Sequence, residues 1–189
     1  GRVPAIDQLD LAAANVEAGD KGVAVNAYLQ STSNPKIYAA GDAADTRGAP
    51  LTPVAVFEGK VAASNMLKGN RTKPDYAGVP SAVFTVPELT RVGMLEEEAR
   101  EAGHDIRVVE NDTGDWYSNL RVGESCAATK VIIDNESDTI LGAHLLGPEY
   151  GEIINFFGLA IRLGLTTSDL KKMVSVYPSV GSDLGSMLS

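Results

Sequence analysis

Cysteine is almost missing from this 189-residue chain; the only one is Cys126. One thiol excludes an internal disulfide framework, a CxxC redox pair and a cysteine-rich zinc site. A cytoplasmic setting is then the default expectation. Histidine is scarce too. His104 and His144 lie far apart in sequence with few candidate co-ligands, so no metal is expected. No apolar run approaches the ~20 residues that span a bilayer. The opening GRVPAIDQLD has neither the basic nor the apolar region of a signal peptide. Positive charge is in deficit, with 16 Lys and Arg against 25 Asp and Glu and a formal net charge of -9. That balance argues against nucleic acid and anionic membranes as partners, since both reward a basic face. What remains is an ordinary globular composition, 44% apolar and 22% charged, enough to bury a proper core. The first residue is Gly rather than Met, which reads as a processed chain or a piece of a longer one.

Proline and glycine punctuate the chain most densely at RTKPDYAGVP, which reads as a linker between residues 1–73 and 74–189. In the first part, GVAVNAYLQ carries a weak alternation at Val23, Val25 and Ala27. PKIYAAGD reads as a buried strand ending at Gly41. LTPVAVFEGKVAASNMLKGN reads as a helix, with Thr52 as N-cap, Pro53 at the first helical position, Val56, Lys60, Ala63 and Leu67 at helical spacing, and Gly69 as the stop. In the second part, SAVFTVP, TRVGM and DIRVVEND read as strands and LEEEAREAG as a helix closed by Gly103. CAATKVIIDNESDTILGAHLLGP alternates on either side of a polar turn and predicts a hairpin. EYGEIINFFGLAIRLGL predicts an amphipathic helix with Ile153, Phe156, Phe157, Ala160 and Ile161 on one face. TTSDLKKMV reads as a capped helix, with Thr167 or Ser168 before Asp169. The end turns at Pro178 into a last short helix.

The chemistry concentrates in IYAAGDAADT. Gly41 lets the backbone turn sharply or lets a ligand come close. Asp42 then stands at the carboxyl end of a strand, where ligands of open α/β sheets bind. It can accept hydrogen bonds from sugar or ribityl hydroxyls, or simply cap the loop that follows, as Asp does in many turns. The helix expected at Thr52 would present free N–H groups and a positive end to an electron-rich ring or an anion. The other candidates are plainer. His104 reads as solvated in a turn, His144 as a satisfied core or edge histidine, and Cys126 as a small buried apolar residue. Trp116 and Tyr117 read as a recognition loop or an aromatic anchor. Glu149, Glu152 and Asp169 read as caps and solvated faces. No nucleophile, base and acid assemble into a catalytic set.

Taken in order, GRVP, IYAAGDAA, LTPVAVFEGKVAASNM and ILGAHLLGPEYGEIINFFGLAI resemble the FAD-dependent pyridine nucleotide-disulfide oxidoreductases, the family of glutathione reductase, dihydrolipoamide dehydrogenase and mercuric reductase. The resemblance covers essentially the whole chain. It implies an α+β fold for residues 74–189, an antiparallel sheet flanked by helices that serves as the family's dimerisation domain. Residues 1–73 would then be the C-terminal part of a Rossmann-like FAD-binding domain. The resemblance gives Asp42, after Gly41, the ribityl chain of FAD. It sets Leu51, Thr52, Pro53 and Val54 against the flavin pyrimidine edge, and it implies a homodimer through residues 74–189.

The same resemblance exposes absences. The G-x-G-x-x-G fold for the adenosine of FAD, the redox cysteine pair and the NAD(P)H fold are not in these residues. The chain therefore reads as the C-terminal portion of a longer parent whose upstream domains bind FAD and NAD(P)H. Alone it would hold half a flavin site and be inactive. The family's His-Pro pair, with Glu five positions later, is replaced by Tyr177-Pro178 and Ser182, with Asp183 one place too late. Phenols ionise near ~10 and imidazoles near ~6.5, so this exchange removes a base and leaves a proton donor. A non-standard electron acceptor is the expectation. The tail SDLGSMLS has no cysteine, unlike the tails of mercuric reductases and large thioredoxin reductases. The rival reading is a non-catalytic dimerisation or scaffold domain.

Overall fold

A computed structural model describes residues 3–189; Gly1 and Arg2 of the GRVP motif lie outside the described residues. The chain divides into two compact units, the first ending at Tyr76 and the second running from Ala77 to Ser189.

In the first unit, β1 (Ala18–Gly19) and β2 (Gly22–Ala24) pair antiparallel, and β2 runs parallel to β3 (Ala44–Asp45), with Val23 opposite Ala44. The buried strand expected at PKIYAAGD is not there. A strand needs a ladder, and this segment makes only one isolated bridge, Tyr38 to Gln30. Helix α1 (Thr52–Lys68) follows. The expected helix is present, with Gly69 as its C-terminal cap. Val54, Glu58, Val61, Ala62 and Asn65 are buried, whereas Val56 and Leu67 face outward, Leu67 at 85% exposure. The buried set recurs at helical spacing, but two of its five members are polar, which hid the stripe. Asn65 is tolerated there because all its hydrogen-bonding capacity is used. Its Nδ2 donates to the carbonyls of Tyr28 (2.9 Å) and Thr72 (2.8 Å), and its Oδ1 accepts from the N–H groups of Arg71 (3.1 Å) and Thr72 (3.0 Å).

The second unit is a five-stranded antiparallel sheet of β4 (Ser81–Val83), β5 (Glu88–Gly93), β6 (Ile106–Asp112), β7 (Ala128–Asp134) and β8 (Ile140–Gly147), in the order β4-β5-β8-β7-β6. The α+β class expected for this part holds, as does the predicted β7–β8 hairpin. Helix α2 (Glu96–Glu101) covers Ile106 and Ile132 through Ala99. The larger core joins Val92, Val131, Ile133 and Leu145 of the sheet to Ile153, Ile154 and Phe157 of α4 (Tyr150–Leu163). Gly158 of α4 lies against Gly78: a Cβ on Gly78 would stand 2.2 Å from the Gly158 carbonyl oxygen, so a side chain there would force the two segments apart. Phe156, expected inside, is 39% exposed, and Ile154 takes its place. At 100° per residue Phe156 falls beyond the edge of the buried arc and joins Leu159 and Leu163 on a second apolar face.

Three local expectations also change. His104 is half-buried rather than solvated, with Nδ1 3.2 Å from Asp134 Oδ1. Cys126 is exposed rather than buried, because it precedes β7 instead of lying within the ladder. The cap of α5 (Thr167–Leu170) is Thr166, one residue before the expected pair, in a reciprocal capping box with Asp169. His144, by contrast, is satisfied within the sheet, its Nε2 donating to the Met94 carbonyl at 3.0 Å.

The turn between β7 and β8 is tied to α5 by Asp138. Its carboxylate accepts from Arg107 Nη2 and, at 2.8 Å to each oxygen, from Thr167 Oγ1. The guanidinium first and Thr167 second pull this carboxyl from its ordinary 3.8 down to about 2. A depressed carboxyl stabilises the fold above its unfolded value, and that contribution disappears as pH falls from 3.8 to about 2. Asp138→Asn should flatten the pH dependence of denaturant unfolding in that window. Asp138→Ala should lower stability at neutral pH by about 1–2 kcal/mol. Unchanged acid unfolding in Asp138→Asn would remove this group from the acid response.

Candidate functional site

The candidate site is built where the Gly-Asp turn meets α1. Leu51 is the extended residue before the helix, Thr52 its first residue and Pro53 its second. The expected Thr52 cap is therefore displaced by one residue, and the residue in its place has an apolar side chain that caps nothing. Ala55 N–H already reaches the Leu51 carbonyl at 2.9 Å and Pro53 has no N–H. Uncapped donors at the positive end of α1 are thus those of Thr52 and Val54.

Gly41 opens a short 3₁₀ turn, Gly41–Ala43, with φ +64. A Cβ at Gly41 would lie 2.7 Å from Ala55 Cβ, so only glycine lets this turn press against the start of α1. The turn is also pinned through Glu58. This fully buried carboxylate accepts from Gly41 N–H at 2.6 Å, from Thr46 Oγ1 at 2.8 Å and from the Tyr76 hydroxyl at 2.6 Å. Burial, followed by the bond to Glu58, pushes the Tyr76 phenol up to about 12. Glu58 escaped the sequence reading. The signal available was a carboxylate four residues after Val54 and four before Ala62, on the stripe that the helix buries.

With Gly41 held from behind, Asp42 points outward. Its side chain is exposed and has no hydrogen-bond partner among the described residues. Asp42, Gly41 and Val54 line one cleft of about 560 Å³, together with Lys21, Asp45 and Gly48 among others. Leu51, Thr52 and Pro53 do not line it; they form the start of α1, with Thr52 and Pro53 exposed. Three of the six flavin-side residues read from the sequence therefore meet in one cleft.

Tyr177 and Ser182 lie in the second unit. The Tyr177–Pro178 peptide bond is cis. The Tyr177 ring is 73% exposed and stacks on Tyr117, with centroids 6.2 Å apart and planes at 22°. Ser182 is not joined to it: its Oγ donates to the Ser179 carbonyl at 2.6 Å. Asp183 instead accepts from Ser118 Oγ. Trp116 packs against the main core and anchors this loop. Among the described residues no group of three or more His, Cys, Asp or Glu side chains is placed to hold a metal ion, and no helix is long and apolar enough to cross a membrane.

Comparison with known proteins gives this geometry a family. The dimerisation domain of pyridine nucleotide-disulphide oxidoreductases matches residues 79–187. A 19.7 kDa protein of the mercuric resistance operon of Staphylococcus aureus is 51% identical over 180 residues, covering 95% of this chain and all of that protein. Glutathione reductase of Pisum sativum is 36% identical over 99% of this chain, and mercuric reductase of Lysinibacillus sphaericus 35% over 97%. The chain spans only 34% and 33% of those two enzymes. The solved structure of the HOCl-induced flavoprotein disulfide reductase RclA of Escherichia coli superposes with a TM-score of 0.87 at 30% identity, over 100% of this chain and 43% of RclA. By that domain match and those identities, the chain belongs to the pyridine nucleotide-disulphide oxidoreductases, and residues 79–187 form its dimerisation domain.

Proposed function

We propose that the chain supplies the ribityl-contacting half of a flavin site and the dimer-forming half of an FAD-dependent NAD(P)H oxidoreductase. Members of the family are FAD- and NAD(P)H-dependent disulfide oxidoreductases. The observation that carries the reading is the free Asp42 carboxylate, set in a cleft on a turn whose backbone Glu58 ties to α1. An unpartnered acceptor at a cleft suits the hydroxyls of a ribityl chain, and the uncapped N–H groups of Thr52 and Val54 suit the electron-rich pyrimidine edge. Bound FAD would supply two-electron exchange between the nicotinamide and the acceptor. Asp42 would orient the ribityl chain, and the start of α1 would favour negative charge on the ring. The adenosine and nicotinamide sites belong, in this proposal, to upstream domains in a cytoplasmic parent, so the chain alone holds half a flavin site and is inactive.

Two features of the second unit extend the proposal. The exposed stripe Phe156, Leu159 and Leu163 on α4 suits a two-fold dimer with an apolar interface of ~2,000 Å² or more. Tyr177 stands where the family has its histidine, with no imidazole beside it. That favours a parent whose acceptor does not need a general base at this point, with Tyr177 donating a hydrogen bond from its hydroxyl. A second reading, a dimerisation or scaffold domain without catalytic role, is favoured by the 51% identity to a relative whose whole length this chain covers.

Flavin retention separates the two readings. In the full-length parent, Asp42→Ala should weaken FAD binding by ~1.5–3 kcal/mol, read as flavin released on dilution. Retention equal to wild type would take Asp42 out of the site. In the chain itself, Glu58→Ala strands three donors and should lower the unfolding free energy by about 3 kcal/mol. Because the Tyr76 phenol is raised from 10.0 to about 12, its contribution is complete below pH 10 and is lost as pH rises toward about 12. Tyr76→Phe should abolish that alkaline slope. For the dimer, sedimentation should give a two-fold species that Leu159→Asp converts to folded monomer; wild type that remains monomeric at high micromolar concentration would count against this interface.

A further inference from the structure

The C-terminal segment that carries Tyr177 is poorly held on its upstream side. Val174 is 97% exposed and Val176 80%, and the chain re-enters the core only at Val180 and Leu184, which are 4% and 1% exposed. The ring of Tyr177 has one aromatic partner among the described residues, Tyr117, and its hydroxyl has no hydrogen-bond partner there. Tyr117 stands on firm ground by comparison. It opens α3 (Tyr117–Leu120), in which Ser118 and Asn119 are buried. Trp116 packs into the main core. Asn119 is fully buried, its Nδ2 donating to the Thr113 carbonyl at 2.8 Å and lying 3.2 Å from the Tyr150 hydroxyl. Ser118, also buried, donates to Asp183, so the same short helix grips the tail on both sides of Pro178.

We propose that α3 is the positioning device for Tyr177: Tyr117 holds its ring, and Ser118 holds the following turn through Asp183. The arrangement leaves the phenol hydroxyl free to donate while fixing the plane of its ring, since a parallel stack at this separation restricts the ring without engaging the hydroxyl. This explains a substitution that sequence alone leaves unaccounted for. Ser182, at the position of the family's orienting carboxylate, bonds Ser179 and does nothing for Tyr177, whereas Asp183, one place later, secures the tail to α3. Tyr117 and Ser118 act through Tyr177 and are not themselves proposed to touch substrate. The inference rests on the reading that Tyr177 faces the acceptor in the parent.

The test separates the two. In the 189-residue chain labelled with 3-fluorotyrosine, the Tyr177 fluorine resonance is assigned by its loss in Tyr177→Phe. Tyr117→Ala should move that resonance to the position of a free tyrosine, Tyr117→Phe should leave it in place, and Ser118→Ala should shift or broaden it. The thermal midpoint should not change in Tyr117→Ala, because this side chain is largely exposed. In the full-length parent, Tyr117→Ala should lower kcat about tenfold with KM for the nicotinamide unchanged, and Tyr117→Phe should restore it. A Tyr177 resonance already at the free-tyrosine position in wild type, or one that Tyr117→Ala leaves in place, overturns the positioning role. If the resonance responds but Tyr177→Phe leaves turnover unchanged, the positioning stands and the assignment of Tyr177 to the acceptor site fails.

Discussion

A carboxylate taken out of water must recover its lost hydration from donors fixed in the protein, or it will unfold its surroundings or take up a proton. Glu58 recovers it from three: a backbone N–H, a threonine hydroxyl and a phenol. Each donor comes from a different stretch of the first unit. Gly41 belongs to the Gly-Asp turn, Thr46 to the loop before α1, and Tyr76 to the end of the unit. One buried carboxyl group therefore sets the turn, the loop and the final segment around a single helix. This is also why Asp42 is available. If the turn were held through its own aspartate, that carboxylate would be engaged inward. Because Glu58 grips the backbone from behind, Asp42 is left unpartnered at the cleft, where the proposed flavin site needs an acceptor.

The same physics explains what was legible in the sequence. The second unit could be read because its elements follow simple periods. The alternation of Thr129, Val131 and Ile133 against Lys130 and Ile132 reports a sheet covered on its two faces by different helices, and the hairpin came out in place. The first unit was harder because its helix buries polar residues. Any search for an apolar stripe passes over Glu58 and Asn65 and settles on Val56 and Leu67, which face the opposite way. What distinguishes the true face is not hydrophobicity but hydrogen-bond satisfaction, and that depends on partners distant in sequence, such as Tyr28 and Thr72 for Asn65. Likewise PKIYAAGD has the composition of a buried strand, but composition supplies no neighbour, and without a ladder the segment makes a turn, a single bridge and the start of a 3₁₀ turn.

Helix α4 shows a related limit. Its apolar residues outnumber what one core-facing stripe can hold. The sequence pattern could place Phe156 with Ile153 and Phe157, or with Leu159 and Leu163, and only packing decides. The fold uses one arc for its own core and leaves the other exposed. A helix that is apolar on two sides is buried twice or remains a liability. In a chain matching a dimerisation domain over residues 79–187, this outer arc is the face that the proposed dimer would bury.

The tail raises a different question, because Tyr177-Pro178 is the pair that the proposal sets in the place of the family's His-Pro. The turn after Pro178 is tied down, and the aromatic ring that precedes it is stacked on Tyr117. A phenol with a free hydroxyl is suited to donating one hydrogen bond. An acceptor matched to it would be one that is stabilised by a neutral donor and needs no proton withdrawn at that site. A disulfide exchange that depends on thiol deprotonation is the opposite case, and the proposal of a non-standard acceptor rests on that contrast.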